Sequence, residues 1–175
     1  MIVLRKISEQ DTLNIVRWRN LEFVRKNLFT QSLLTPEQHI NWLNNYVYKG
    51  KCYQYIITAI LCGKSYDIGT IFLKNIDKGN NKAEYGIFIG EKDFCGKGYA
   101  KLASELILKI AFEELLLNRV YLSVMFDNAA AIKTYEKVGF VQEGILKEDF
   151  FRENKFIDIL IMGITKKMWE QKKSY

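Results

Sequence analysis

Residues 128–140 read Asn128-Ala129-Ala130-Ala131-Ile132-Lys133-Thr134-Tyr135-Glu136-Lys137-Val138-Gly139-Phe140. The segment predicts a short helix from Asn128 to Val138. Gly139 closes it, because glycine enters the left-handed conformation that ends helices without a Cβ clash. Asn128, Ala131 and Tyr135 stand at i, i+3 and i+7, so they share one helical face. Taken singly, each has an ordinary structural use as helix cap, small packing residue and core tyrosine.

Working outward, Arg119–Met125 reads as a strand and residues 99–117 carry apolar residues at helical spacing. Beyond Gly139, residues 140–145 and 156–164 read as two strands joined by a charged loop around Arg152-Glu153-Asn154. Upstream, Tyr53–Leu61, 68–73 and 83–89 are rich in β-branched and aromatic residues. The turns between them are Cys62-Gly63-Lys64-Ser65-Tyr66-Asp67 and Asp77-Lys78-Gly79-Asn80-Asn81, which predicts an antiparallel meander. Residues 2–5 form a short strand, and residues 8–18 carry a helical stripe. Thr35-Pro36-Glu37-Gln38 combines a cap, a proline at the first helical position and a capping-box glutamine, opening a helix to about Tyr48. The order β-α-α-β-β-β-α-β-α-β-β predicts an α/β (α+β) fold, a mixed sheet with helices on both faces.

Composition narrows the function. At 175 residues, with 49% hydrophobic residues, one proline and no repeat or linker, the chain reads as a single domain over 1–175. The 26 basic and 20 acidic residues leave a net charge of +6, which favours anionic partners without choosing one. The basic residues are not interleaved with aromatics, so nucleic-acid binding is not expected. No apolar run approaches a membrane span, and the apolar stretch at the N-terminus is too short for a signal peptide. Cys52, Cys62 and Cys95 are odd in number and lack CxxC spacing, as expected of reduced thiols in a cytoplasmic protein. A single histidine, His39, leaves little for a histidine-based metal site or a Ser-His-Asp relay, and no metal is expected.

The second informative stretch is Asp93-Phe94-Cys95-Gly96-Lys97-Gly98-Tyr99-Ala100, between a strand and the long helix. Its glycines allow close backbone approach to a ligand, and the free N–H groups of a helix start favour phosphate. The Rossmann fingerprint is excluded by the missing third glycine, and the Walker loop by its different spacing.

Together, the Gly-x-Gly turn opening a long helix, the strand, and Asn-x-x-Ala-x-x-x-Tyr-x-x-x-Gly-Phe resemble the GNAT family of N-acetyltransferases. The resemblance covers nearly the whole chain and implies a twisted, mostly antiparallel sheet. It implies acetyl-CoA as co-substrate, with its pyrophosphate on the backbone of Gly96, Lys97, Gly98, Tyr99 and Ala100 and its arm on Asn128. Tyr135 would protonate the leaving thiolate, Glu84 would take a proton through water, and the backbone N–H near Ile89 would hold the oxyanion. Cys95 departs from the Gln or Arg usual there, so one side-chain contact to phosphate is lost.

For the acceptor amine the resemblance divides. Residues 142–151 and 155–158 resemble the ribosomal-protein and spermidine acetyltransferase branch. Trp18-Arg19-Asn20, Val24-Arg25-Lys26-Asn27 and residues 34–42 resemble enzymes that acetylate a UDP-linked 4-amino-4,6-dideoxy sugar in pseudaminic acid synthesis. On that reading Arg19 and Arg25 would pair with the diphosphate, and His39 and Trp42, at i and i+3, would meet a ring. Residues 14–48 hold only Glu22 and Glu37 as carboxylates, which weakens a polyamine acceptor. The expected partner is therefore a small-molecule amine, best a UDP-amino sugar. A ribosomal N-terminus or a polyamine is the alternative, and a non-catalytic acyl-CoA-binding module is the alternative of another class. A homodimer through the sheet edge or the residues from Lys166 onward is also open.

Overall fold

In the computed structural model, which describes residues 1–173, one seven-stranded sheet runs through the protein in the order β1-β2-β3-β4-β5-β7-β6. The strands are β1 (Ile2–Lys6), β2 (Tyr53–Leu61), β3 (Lys64–Asp77), β4 (Lys82–Ile89), β5 (Arg119–Met125), β6 (Val141–Arg152) and β7 (Lys155–Thr165). Every neighbouring pair is antiparallel except β4 and β5. The helices are α1 (Thr12–Asn20), α2 (Glu22–Arg25), α3 (Pro36–Trp42), α4 (Tyr99–Lys109), α5 (Ala129–Val138) and α6 (Lys166–Lys173). The expected mixed, mostly antiparallel sheet is what forms.

Local chemistry sets the helix ends. Thr35 Oγ1 accepts from the Gln38 N–H at 3.3 Å while Gln38 Oε1 accepts from the Thr35 N–H at 3.0 Å, a closed capping box with Pro36 behind it. Gly139 ends α5 at φ +116°, donating to the carbonyls of Tyr135 and Glu136.

Several boundaries differ from the sequence expectations. The turn between β2 and β3 is only Cys62-Gly63; residues 64–67 continue the ladder opposite 58–61. Their polar side chains disguise a strand whose backbone is fully paired. β6 likewise runs to Arg152, well past 145, through its pairing with β7. The helices expected to reach 48 and 117 become π turns at Leu43–Val47 and Ile110–Glu114, a change of pitch that apolar spacing does not reveal. The short α2 and the terminal α6 are additions.

The core lies on the two faces of the sheet. One cluster joins Ala103, Ile107 and Leu108 of α4, Tyr135 and Val138 of α5 and Trp169 of α6 to Ile57, Ile71, Tyr85 and Val120. The other joins Ile15 and Trp18 of α1 to Ile7, Leu43 and Ile56, with Phe88 against them. Among the described residues no helix is long and apolar enough to cross a membrane. All three cysteines are free, Cys52 buried and Cys62 and Cys95 exposed.

The sheet has one interruption. β4 and β5 pair only through Lys82–Glu84 and Arg119–Tyr121. Beyond those residues β4 stays with β3 and β5 with β7, so the two parallel strands part.

Candidate active site

Where β4 and β5 part, a cleft of about 500 Å³ opens. Its walls include Tyr85 to Ile89 of β4, Ser123 and Val124 of β5, Asn128, Ala131 and Tyr135 of α5, Gly96 and Ala100 at the start of α4, and Arg19 with residues 27–30. The face shared by Asn128, Ala131 and Tyr135 is thus the face that lines the cleft.

The glycine turn enters α4 with Gly96 at φ +71° and Gly98 at φ +82°, and a Cβ on either would meet nothing within 4 Å. Glycine is needed there for backbone conformation, not for room. The Cys95 N–H donates to the Lys92 carbonyl and the Leu102 N–H to the Gly98 carbonyl. Among the described residues, the N–H groups of 96–101 between them are taken up by no backbone carbonyl. Such a row at a helix start is a ready acceptor of a phosphate, and it fits the pyrophosphate of a CoA thioester. Gly96 and Ala100 line the cleft, and Lys97, Gly98 and Tyr99 complete the turn beside it. The exposed Cys95 also borders the cleft.

Asn128 caps α5: its Oδ1 accepts from the Ala131 N–H at 3.3 Å, which leaves the amide NH₂ for a ligand. Tyr135 is buried, and burial pushes its phenol up to about 12, so the hydroxyl stays protonated. Among the described residues no protein group takes up that hydroxyl, while Tyr135 lines the cleft. The Gly90 N–H donates to the Ile68 carbonyl at 2.8 Å. Antiparallel pairing alternates, so the Ile89 N–H faces the edge that β5 has left.

Glu84 lines the other end of the cleft, its carboxylate held by Lys74 Nζ at 3.1 Å and Asn75 Nδ2 at 2.7 Å. Arg19 lines the cleft as well, with Nη1 buried and, among the described residues, without a hydrogen-bond partner. The other expected acceptor residues do not reach it. Arg25 donates to the Gln31 carbonyl at 3.2 Å and shapes the loop after α2. His39 is buried between α1 and α3, its Nδ1 3.0 Å from Thr12 Oγ1. Trp42 donates to Gln54 Oε1 at 3.0 Å and stacks on Tyr46 with ring centroids 4.3 Å apart. The i, i+3 face of His39 and Trp42 is spent on packing. Among the described residues no group of three or more metal-ligating side chains converges.

Some wall residues escaped sequence reasoning. The loop after α2 is tied by Asn20, whose side chain exchanges hydrogen bonds with the backbone of Leu34 at 2.8 and 2.9 Å. Arg152 Nη1 donates to the Lys26 carbonyl at 2.7 Å, and Phe29 meets Phe150 edge-on at 5.4 Å. These ties carry residues 27–30 over the cleft. Glu91 accepts from Trp18 Nε1 at 2.7 Å and pairs with Arg17, joining α1 to the end of β4. No periodicity marks such long-range ties.

Comparison with known proteins places this architecture. YdaF of Bacillus subtilis (strain 168), which carries the name ribosomal N-acetyltransferase, is 34% identical over 120 residues, 67% of this chain and 65% of its own. The spermidine N(1)-acetyltransferase of Vibrio cholerae serotype O1 is 36% identical over 97 residues, 55% of this chain and 56% of its own. The chain therefore spans less than two thirds of the length of these curated relatives. The crystal structure of the Vibrio cholerae spermidine N-acetyltransferase in complex with CoA and spermine superposes with a TM-score of 0.88 at 25% identity, over 97% of this chain and 98% of that one. These names concern ribosomal and polyamine acceptors. They lend the expected UDP-amino sugar no support and favour what the sequence reading held as its alternative. The acetyltransferase (GNAT) domain matches residues 2–141, from β1 to the first residue of β6, and on that match this protein belongs to the GNAT family of acetyl-CoA-dependent acetyltransferases.

Proposed function

We propose that the protein is an N-acetyltransferase that moves the acetyl group of acetyl-CoA to a primary amine. The observation that carries this reading is the parting of β4 and β5. It opens one cleft to the glycine turn, the Ile89 N–H and the Tyr135 hydroxyl together.

Acetyl-CoA supplies a thioester carbonyl and a thiolate leaving group. The unpaired N–H groups of 96–101 hold its pyrophosphate, and the Asn128 amide meets its arm. The Ile89 N–H is aimed at the carbonyl oxygen, where negative charge grows as the amine nitrogen forms its bond to carbon. Tyr135 gives a proton to sulfur as the C–S bond breaks. A phenol at about 12 is a weaker acid than a thiol in water, but the burial that raises the phenol raises the basicity of a thiolate beside it too. Glu84 stands five residues along β4 from Ile89, about 16 Å at strand rise, so the amine's proton reaches it along a chain of several waters and not by contact.

For the acceptor, the relatives' names favour spermidine or a ribosomal amine over a nucleotide sugar. The same proposal includes self-association: β6 is an edge strand with Val141, Ile145, Leu146 and Phe151 exposed. The test is thiol release from acetyl-CoA with spermidine, an N-terminal ribosomal peptide and the UDP-linked 4-amino sugar in parallel. Release with any one of them supports acetyl transfer and identifies the acceptor. Acetyl-CoA binding without release from any amine would replace the enzyme with an acyl-CoA-binding module.

A further inference from the structure

We propose that the acceptor amine carries an oxyanion, a carboxylate or a phosphate, and that Arg19 receives it; this rests on the acetyl-transfer reading above and departs from the polyamine acceptor that the relatives' names favour. Arg19 sits on the acceptor side of the cleft. Successive side chains of β4 point to opposite faces, and Tyr85 faces α4 and α5 through Ser104 and Tyr135. Phe88 faces the other way, onto the cluster that contains Trp18, the residue before Arg19. The Trp18 side chain fills the space beside Gly90, where an added Cβ would lie 2.1 Å from Trp18 Cγ. Arg19 follows that anchor in the chain and lines the same cleft as Ile89.

Among the described residues nothing compensates its charge: Arg19 Nη1 is buried without a hydrogen-bond partner, and burial alone pulls its pKa down, with no acid offsetting it. The nearby carboxylates are committed, Glu91 to Arg17 and Trp18 and Glu84 to Lys74 and Asn75. With Lys74 and Glu84 cancelling, the charged side chains that line the cleft among the described residues leave one positive charge, that of Arg19. A half-buried charge without a partner is costly to keep, and a guanidinium is built to grip a carboxylate or phosphate. A bare polycation would bring further positive charge to this point.

The test measures thiol release by the full chain at saturating acetyl-CoA with propylamine, 4-aminobutyrate, 3-aminopropyl phosphate and spermidine. The enzyme is tested as wild type, Arg19→Gln and Arg19→Lys. The expected result is a kcat/KM for an anionic acceptor about tenfold or more above propylamine, a charge-assisted hydrogen bond's worth. That ratio should collapse in Arg19→Gln and survive in part in Arg19→Lys. A lead for the phosphate arm names a phosphoryl-bearing acceptor, and a lead for the carboxylate arm an amino-acid-like one. Thermal melting of both variants at or above the wild-type Tm would show that the loss is not misfolding. Faster turnover of spermidine or propylamine than of both anionic amines would overturn the proposal. So would an unchanged ratio in Arg19→Gln, or a tenfold rise in the KM for acetyl-CoA, which would give Arg19 to the CoA phosphates. Bound acetyl-CoA with no release from any amine would instead overturn acetyl transfer itself, and this inference with it.

Discussion

The rings of Tyr85 and Tyr135 meet edge to face, centroids 5.8 Å apart at 87°, yet their hydroxyls have different fates. Tyr85 shares a 2.6 Å hydrogen bond with Ser104, whereas Tyr135 opens onto the cleft. Burial raises both phenols, Tyr85 well above the usual range and Tyr135 to about 12. Tyr135→Phe keeps the packing and removes the proton, so turnover should fall more than about tenfold with little change in the KM for acetyl-CoA. Tyr85→Phe should cost about 1 kcal/mol in urea unfolding and leave turnover largely intact. Steady-state kinetics and urea titration of both variants check the contrast; equal rates in Tyr135→Phe and wild type would take Tyr135 out of the mechanism.

Asn128 serves two ends with one side chain. Its carbonyl caps α5, and its NH₂ is left for the proposed contact with the co-substrate. Asn128→Asp keeps the cap and loses the donor, so it should unfold like wild type but bind acetyl-CoA more weakly. Asn128→Ala should do both harms, losing about 1 kcal/mol of stability besides. Acetyl-CoA titration beside urea unfolding separates the two roles.

Gly98 adopts φ +82° with open space around its missing Cβ. Gly98→Ala meets no clash, so its cost is conformational, about 1–2 kcal/mol. That strain falls on the turn presenting the N–H groups of 96–101, and the expected signature is a raised KM for acetyl-CoA with kcat nearly unchanged.

His39 gives the fold a pH dependence of definite sign. Burial lowers its pKa below 6.5, against a smaller opposing pull from Asp11. Between the folded value and 6.5 the unfolded chain binds a proton that the folded chain refuses. This share of stability is therefore full above pH 6.5 and drains away as pH falls through that window. The urea midpoint should fall from pH 7 to pH 5, and His39→Gln should flatten that stretch. At lower pH Asp11 takes over. Burial opposes its ionisation, but Arg5 and the Ser8 N–H outweigh that and hold it below 3.8, so its share is lost only in strong acid.

Much of this was legible before any fold was known. The caps at Thr35 and Asn128, the glycine terminator at 139 and the Gly-x-Gly entry to α4 are local chemistry: neighbouring groups satisfying neighbouring backbone. The face of Asn128, Ala131 and Tyr135 follows from helix pitch alone. Less legible were β3 before Ile68 and β6 beyond Ile145, where a polar or exposed strand is made by backbone pairing that side-chain alternation does not report. The loop over the cleft was silent too, because Asn20, Arg152 and Phe150 tie it from distant positions.

The sequence by itself determined most of the elements, their order and the residues of the glycine turn and of the Asn128, Ala131 and Tyr135 face, because these depend on contacts within a few residues. Only the tertiary structure decided where those elements open. β4 and β5 share a ladder for three residue pairs and then follow different partners, and a ladder's end is set by competition among whole strands. It also divided two arginines that look alike in sequence. Arg25 is turned into its own loop, where it donates to the Gln31 carbonyl, while Arg19 follows the Trp18 anchor and lines the cleft, a difference made by what packs around each guanidinium.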